Sequence, residues 1–188
     1  MTLIEPHTRL FTRDEYYAMA DLGLFNEQRV ELIEGEILEK APQKNPHFLT
    51  IALVQDALKT AFPAEFWIRP QGPLHFGDRN EPEPDIAVVR GIPRDFQDHP
   101  TTALLIVEVS ETTLRYDRGR KARLYARFGI ADYWIVNLVD RQLEICRKPI
   151  QDAAGNWSYS EMRTLAADES IAALAAPQVA IAVSDLLP

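Results

Sequence analysis

A single cysteine, Cys146, in 188 residues excludes an intrachain disulfide and any cysteine-only metal site. It fits a reducing compartment, so the chain reads as cytoplasmic. The opening stretch, Met1 to Leu10, lacks a basic region followed by an apolar run, and no secretory leader is expected there. Long apolar runs are scarce as well. The one suspect, Ile171 to Leu187, is interrupted by Pro177, Gln178, Ser184 and Asp185. It falls short of the ~18 unbroken apolar residues of a membrane span, which excludes a membrane protein. Internal repeats, low-complexity tracts, Gly/Ser linkers, a glycine-rich phosphate loop and a supported Ser-His-Asp pattern are all missing. A basic excess is missing too. Twenty Lys and Arg face 28 Asp and Glu, a net charge of −8, whereas nucleic-acid binding favours a basic surface. A site that gathers carboxylates around a divalent cation would also push the balance this way, so distribution matters more than the total.

What is present describes one globular domain, residues 1–188. Apolar residues make up 46% and charged residues 26%, and a chain of this length can bury a core without staples. Thr12 with Glu15 forms a capping-box pattern and predicts a helix over 13–21. Residues 29–40 read as a hairpin turning at Gly35. A helix follows over 45–62, ended by Pro63. Strand-like runs occupy 66–76, broken by Pro70 and Pro73, then 85–90 and 103–109. The last is almost wholly apolar, as for a central strand covered on both faces. A second long helix is expected over 113–128, closed by Gly129. A hairpin over 133–139 and 142–147, a strand over 157–165, and a tail of short helix then short strand complete the reading. The fold class is α/β (α+β), with one central mixed sheet flanked by helices.

Two carboxylates stand out. Asp85 heads the run Asp-Ile-Ala-Val-Val, and Glu108 follows Ala-Leu-Leu-Ile-Val. Such groups at strand ends buried on both faces are costly unless paired. Together they suggest a divalent metal, since Mg²⁺ sites use one or two carboxylates, water and phosphate oxygens. The alternative is a strand-edge Asp and a core Glu paired with an Arg. Lys121 adds weight to the metal reading. At 100° per residue it shares a helix face with Leu114, Asp117, Leu124, Tyr125 and Phe128, while Arg115, Arg120, Arg123 and Arg127 fall opposite. A lysine on an apolar face must snorkel or meet a carboxylate. That places it to stabilise an attacking hydroxide or phosphorane charge; the competing reading is a structural pair with Asp117.

Asp85, then Glu108 with Ser110 two positions on, resembles the PD-(D/E)XK nuclease signature. The ordered set Glu31-Leu-Ile-Glu-Gly-Glu-Ile, His47, Glu83-Pro-Asp-Ile, Val107-Glu-Val-Ser, Tyr116-Asp with Lys121 and Tyr125, and Asp132-Tyr-Trp-Ile-Val resembles the Uma family of restriction endonucleases over residues 12–147. The resemblance implies a restriction-endonuclease-like fold and Mg²⁺-dependent phosphodiester hydrolysis, with Mn²⁺ able to substitute. Asp85 and Glu108 would be the metal ligands and Glu34 the further acidic residue of the site. The signature's lysine two residues after the glutamate is replaced by Ser110, so Lys121 would take that role from the following helix. DNA is the implied substrate, with RNA or a small nucleotide open to the same residues. A catalytically inactive nuclease-fold binding module is the alternative function.

Lesser substrate-binding candidates are Ser110, Gln71, Arg118 and Tyr125. Ser110 shares a strand face with Glu108, or caps the next helix. Gln71 could line the cleft from its loop. His47 opens the second helix and reads as a capping or satisfied histidine rather than a ligand, and His7, His75 and His99 show no ligand spacing. Cys146 reads as buried and inert. The arginines of the second helix could track a phosphate backbone or form a solvated or neutralised face. Tyr133 to Val136, on an apparent edge hairpin, suggest a dimer surface, and a homodimer would present two sites to a duplex.

Overall fold

The computed structural model describes residues 6–188; the first half of the stretch weighed as a leader lies outside them. Helix α1 (Arg13–Asp21) starts at the capping box, with Thr12 accepting from the Glu15 N–H and Glu15 accepting from the Thr12 N–H. Strands β1 (Val30–Ile33) and β2 (Glu36–Glu39) pair antiparallel. They turn through Glu34 and Gly35 at φ +53° and +81°, a pair of left-handed residues suited to a tight hairpin. Helix α2 (Asn45–Ala61) carries Pro46 in its first turn and buries Ile51, Val54 and Leu58.

The central sheet runs β3 (Phe66–Pro70), β4 (Ile86–Arg90), β5 (Leu105–Ser110), β6 (Asp132–Asn137), β7 (Gln142–Gln151) and β8 (Trp157–Leu165), in that spatial order. All neighbours are antiparallel except β5 and β6. That parallel pair requires a crossover. It is supplied by α3 (Leu114–Tyr116), a π-helical turn (Asp117–Lys121) and α4 (Ala122–Arg127). The expected uninterrupted α-helix is thus widened in its middle, where the Ala122 N–H reaches back to the Asp117 carbonyl. Alternation along β5 sorts the core into two layers. Leu105, Val107 and Val109 pack with Ile51, Val54 and Leu58 of α2. Ile106 packs with Leu124 and Tyr125 of α4 on the opposite face. Glu108 and Ser110, of the same parity as Ile106, face the crossover helices.

Two expectations are corrected. Tyr133, Trp134, Ile135 and Val136 are fully buried because β6 lies between β5 and β7, so they offer no dimer surface. The tail is not helix then strand. Short strands β9 (Ser170–Ile171) and β10 (Ile181–Ala182) pair with each other and precede a 3₁₀ turn (Val183–Leu186), whose Val183 and Leu186 close the α2 side of the core.

Candidate functional site

A cavity of about 690 Å³ opens where the β1–β2 hairpin, the start of α2, the sheet and the π turn meet. Glu31, Gln43, His47, Asp85, Glu108, Tyr116, Asp117 and Lys121 are on its wall. Their convergence follows from the topology. Asp85 immediately precedes β4, and β4 pairs with β5 so that Ile86 stands opposite Val107. Asp85 and Glu108 are thereby adjacent: the Asp85 N–H points at Glu108 Oε2 at 3.4 Å, and Asp85 Oδ2 accepts from the Val109 N–H at 2.8 Å.

Lys121 meets these carboxylates from the crossover. Its Nζ donates to Glu108 Oε1 at 2.8 Å and stands 3.5 Å from Glu31 Oε2. All three residues are buried. Lys121 therefore pairs with the strand carboxylates rather than with Asp117, whose Oδ2 accepts from Ser110 at 2.9 Å and Thr113 at 2.6 Å. Burial by itself lowers the ammonium's pKa, yet Glu108 and Glu31 outweigh it and hold the Lys121 pKa well above the usual lysine range. Lys121 stays cationic. Burial pushes the Glu108 carboxyl up to about 7, against the pull of Lys121. Asp85 is also buried, but the His47 side chain and the Val109 N–H hold its carboxyl below the usual aspartate range.

The other named residues separate. Glu34 is not brought to the site. It occupies the hairpin turn, and its half-exposed carboxylate accepts from Arg120 at 3.0 Å. Its hairpin neighbour Glu31 points inward instead, because β1 alternates and residue 31 lies on the side facing Lys121. Tyr125 is fully buried behind the cavity and donates to Glu108 Oε1 at 2.6 Å, so it orients that carboxylate rather than touching the cavity. Ser110 is buried as a partner of Asp117. Gln71 is outside the lining; its backbone N–H donates to the Asp85 carbonyl at 2.9 Å. Arg118 is bound bidentately to Glu144 at 2.7 and 2.6 Å, and Arg120 is committed to Glu34, Glu36 and the Ile33 carbonyl. The crossover's arginine face is in part neutralised by the protein itself. His47, read from sequence as a capping or satisfied histidine, is a wall residue with Nε2 3.2 Å from Asp85 Oδ1. Its signal was its position in the motif string; its partner is 38 residues away, beyond any local pattern.

Among the described residues, no three His, Cys, Asp or Glu side chains gather into a ready-made metal cage. The donor chemistry nevertheless fits a hard divalent cation. Lys121 and Tyr125 occupy Glu108 Oε1, while Oε2 makes only the long contact with the Asp85 N–H. Two buried carboxylates with an under-used oxygen suit an ion that otherwise keeps water.

The fold is of a nuclease type. The crystal structure described as that of a putative nuclease belonging to DUF820 from Anabaena variabilis ATCC 29413 superposes with a TM-score of 0.71, covering 94% of this chain and 97% of that one at 16% identity. A family model described as "Uma2: Putative restriction endonuclease" matches residues 13–184, and the chain belongs to that family. The match extends beyond β7 into the C-terminal strands. No curated protein matches the chain.

Proposed function

We propose that this protein is a metal-dependent endonuclease that hydrolyses phosphodiester bonds of DNA. Family membership supports a nuclease. The observation that carries the finer reading is the Lys121 ammonium, buried on the cavity wall 2.8 Å from Glu108, whose other oxygen meets the Asp85 N–H. Asp85 and Glu108 would hold Mg²⁺, or Mn²⁺ in its place. A cation bound there supplies Lewis acidity toward a phosphoryl oxygen and makes water a stronger nucleophile.

The residues divide the remaining work. Glu108 is held by Tyr125 and Lys121 on one oxygen, which leaves the other for the cation. Asp85 is fixed through Oδ2 by the Val109 N–H, while Oδ1 lies 3.2 Å from His47 Nε2 on the cavity wall. Because Lys121 remains protonated, it does not act as a base. It donates hydrogen bonds and positive charge to the attacking oxygen or to the phosphorane as negative charge develops. Glu31 shares the ammonium with Glu108 and keeps it aimed at the cavity. Ser110, at the signature's lysine position, leaves room for that arrangement by turning to Asp117.

Plasmid cleavage in Mg²⁺ or Mn²⁺ tests the proposal. Wild type is expected to nick or linearise, chelation to abolish it, and Asp85→Ala and Lys121→Ala each to reduce the rate by at least 10²-fold. Equal activity in Asp85→Ala and wild type overturns the assignment. Should the chain act as a homodimer, its surface lies elsewhere than Tyr133 to Val136; light scattering at working concentration reads the state.

A further inference from the structure

The wall of the cavity holds a second group of donors around Asp85 Oδ1. His47 Nε2 is 3.2 Å from Asp85 Oδ1, the Gln43 amide nitrogen is 3.3 Å from His47 Nε2, and the same nitrogen is 3.5 Å from Asp85 Oδ1. Three side-chain atoms from the approach to α2, its first turn and the head of β4 thus form a nearly equilateral triangle. Hydrogen bonding alone accounts for it poorly, because two of its three edges are long for hydrogen bonds.

The edges match a different requirement. Ligand atoms about 2.1 Å from one ion are spaced about 3.0 Å apart in an octahedron and about 3.4 Å in a tetrahedron. A half-turn of the Gln43 amide exchanges its nitrogen for oxygen in nearly the same volume. The face then presents one imidazole nitrogen, one amide oxygen and one carboxylate oxygen. All three residues line the cavity through which a cation would approach. His47 and Gln43 are four residues apart, and the entry into α2 brings both over Asp85.

We infer that His47 Nε2, with Asp85 Oδ1 and the Gln43 amide oxygen, ligates the divalent cation of this site and makes it selective for transition ions over Mg²⁺. The inference rests on the metal-dependent reading above and adds a nitrogen ligand to it. A nitrogen donor favours Mn²⁺, Co²⁺ or Zn²⁺, whereas Mg²⁺ prefers an all-oxygen shell. Mere positioning of Asp85 by His47 would affect both kinds of ion alike.

Electron spin-echo spectroscopy on the protein loaded with Mn²⁺ alone distinguishes these. Nitrogen modulation from a coordinated imidazole is expected in wild type. It should change frequency in protein grown with ¹⁵N-histidine, which needs no variant to fold, and vanish in His47→Ala. Calorimetry should show Mn²⁺ binding at least tenfold tighter than Mg²⁺, with His47→Ala narrowing that ratio at least threefold. Mn²⁺ that binds, and is lost in Asp85→Asn, but shows no nitrogen modulation overturns this inference while leaving the metal-dependent reading intact. Failure of Mn²⁺ to bind at Asp85 overturns both.

Discussion

Lys121 shows how burial decides chemistry at the scale of one residue. An ammonium in the interior is tolerated because Glu108 and Glu31 are both present, and removing the cation leaves two carboxylates in a desolvated site. Breaking a buried pair in this way typically costs about 3–5 kcal/mol, whereas neutralising both partners costs far less. Lys121→Met is therefore expected to lower stability by about 3 kcal/mol, and Lys121→Met with Glu108→Gln to recover part of that loss, since Glu31 still lacks its cation. Urea denaturation of the two variants against wild type reads the difference. A double variant no more stable than the single one would show that Glu108 is not the partner that matters. The same comparison separates loss of activity from loss of fold, since a double variant that regains stability still lacks both groups assigned to chemistry. In the sequence, Lys121 stands out by its place on an apolar helix face, and Asp85 and Glu108 by their place at strand ends. Only motif resemblance points to Glu34, and the alternation of β1 sends Glu31 inward in its stead.

Elements carry the site to its place. The β1–β2 hairpin can point Glu31 inward only if its turn holds. At Gly35, φ is +81° and an added Cβ would lie 2.6 Å from Leu10 Cβ, so Gly35→Ala meets both backbone strain and a clash. A loss above 1 kcal/mol is expected, with weaker activity as Glu31 shifts. Gly119, inside the π turn, offers a contrast. Its φ is ordinary, and an added Cβ meets nothing nearer than the end of Arg123 at 3.8 Å. Gly119→Ala is expected to raise stability by about 0.4–1 kcal/mol through the unfolded chain. Thermal melts of both variants check the pair; a Gly119→Ala that melts well below wild type would mean the π turn needs glycine. The π turn itself was illegible in the sequence. Both α and π geometry keep residues 117 and 121 on one face, so apolar periodicity does not tell the two apart.

For the molecule as a whole, the six-stranded sheet encloses Cys146 on β7, buried and with its thiol pushed up to about 11 by desolvation. A raised thiol pKa means less thiolate in the folded state than in the unfolded one at any pH below it. Alkylation at pH 8 is expected to be slow in the native protein and fast in denaturant, with mass spectrometry following the adduct. Rapid native labelling would place Cys146 in an open segment. The net charge of −8 belongs to this scale too. Arg118 and Arg120 are paired internally, while Arg115, Arg123 and Arg127 stay exposed, so the crossover keeps only part of its positive surface for phosphates, and a divalent cation at the site would add to it.

Local chemistry determined the helix starts, the hairpin turn and most of the strands, because capping boxes, prolines, glycines and apolar periodicity act within a few residues. It also determined that Asp85, Glu108 and Lys121 could not lie buried alone. Pairing between distant strands decided the rest. The parallel β5–β6 contact made β6 internal and hid Tyr133 to Val136, and the β4–β5 register set Asp85 beside Glu108. The entry of α2 over the sheet brought His47 and Gln43 to Asp85 across some forty residues of chain, a proximity that depends on tertiary packing and that no spacing along the chain encodes.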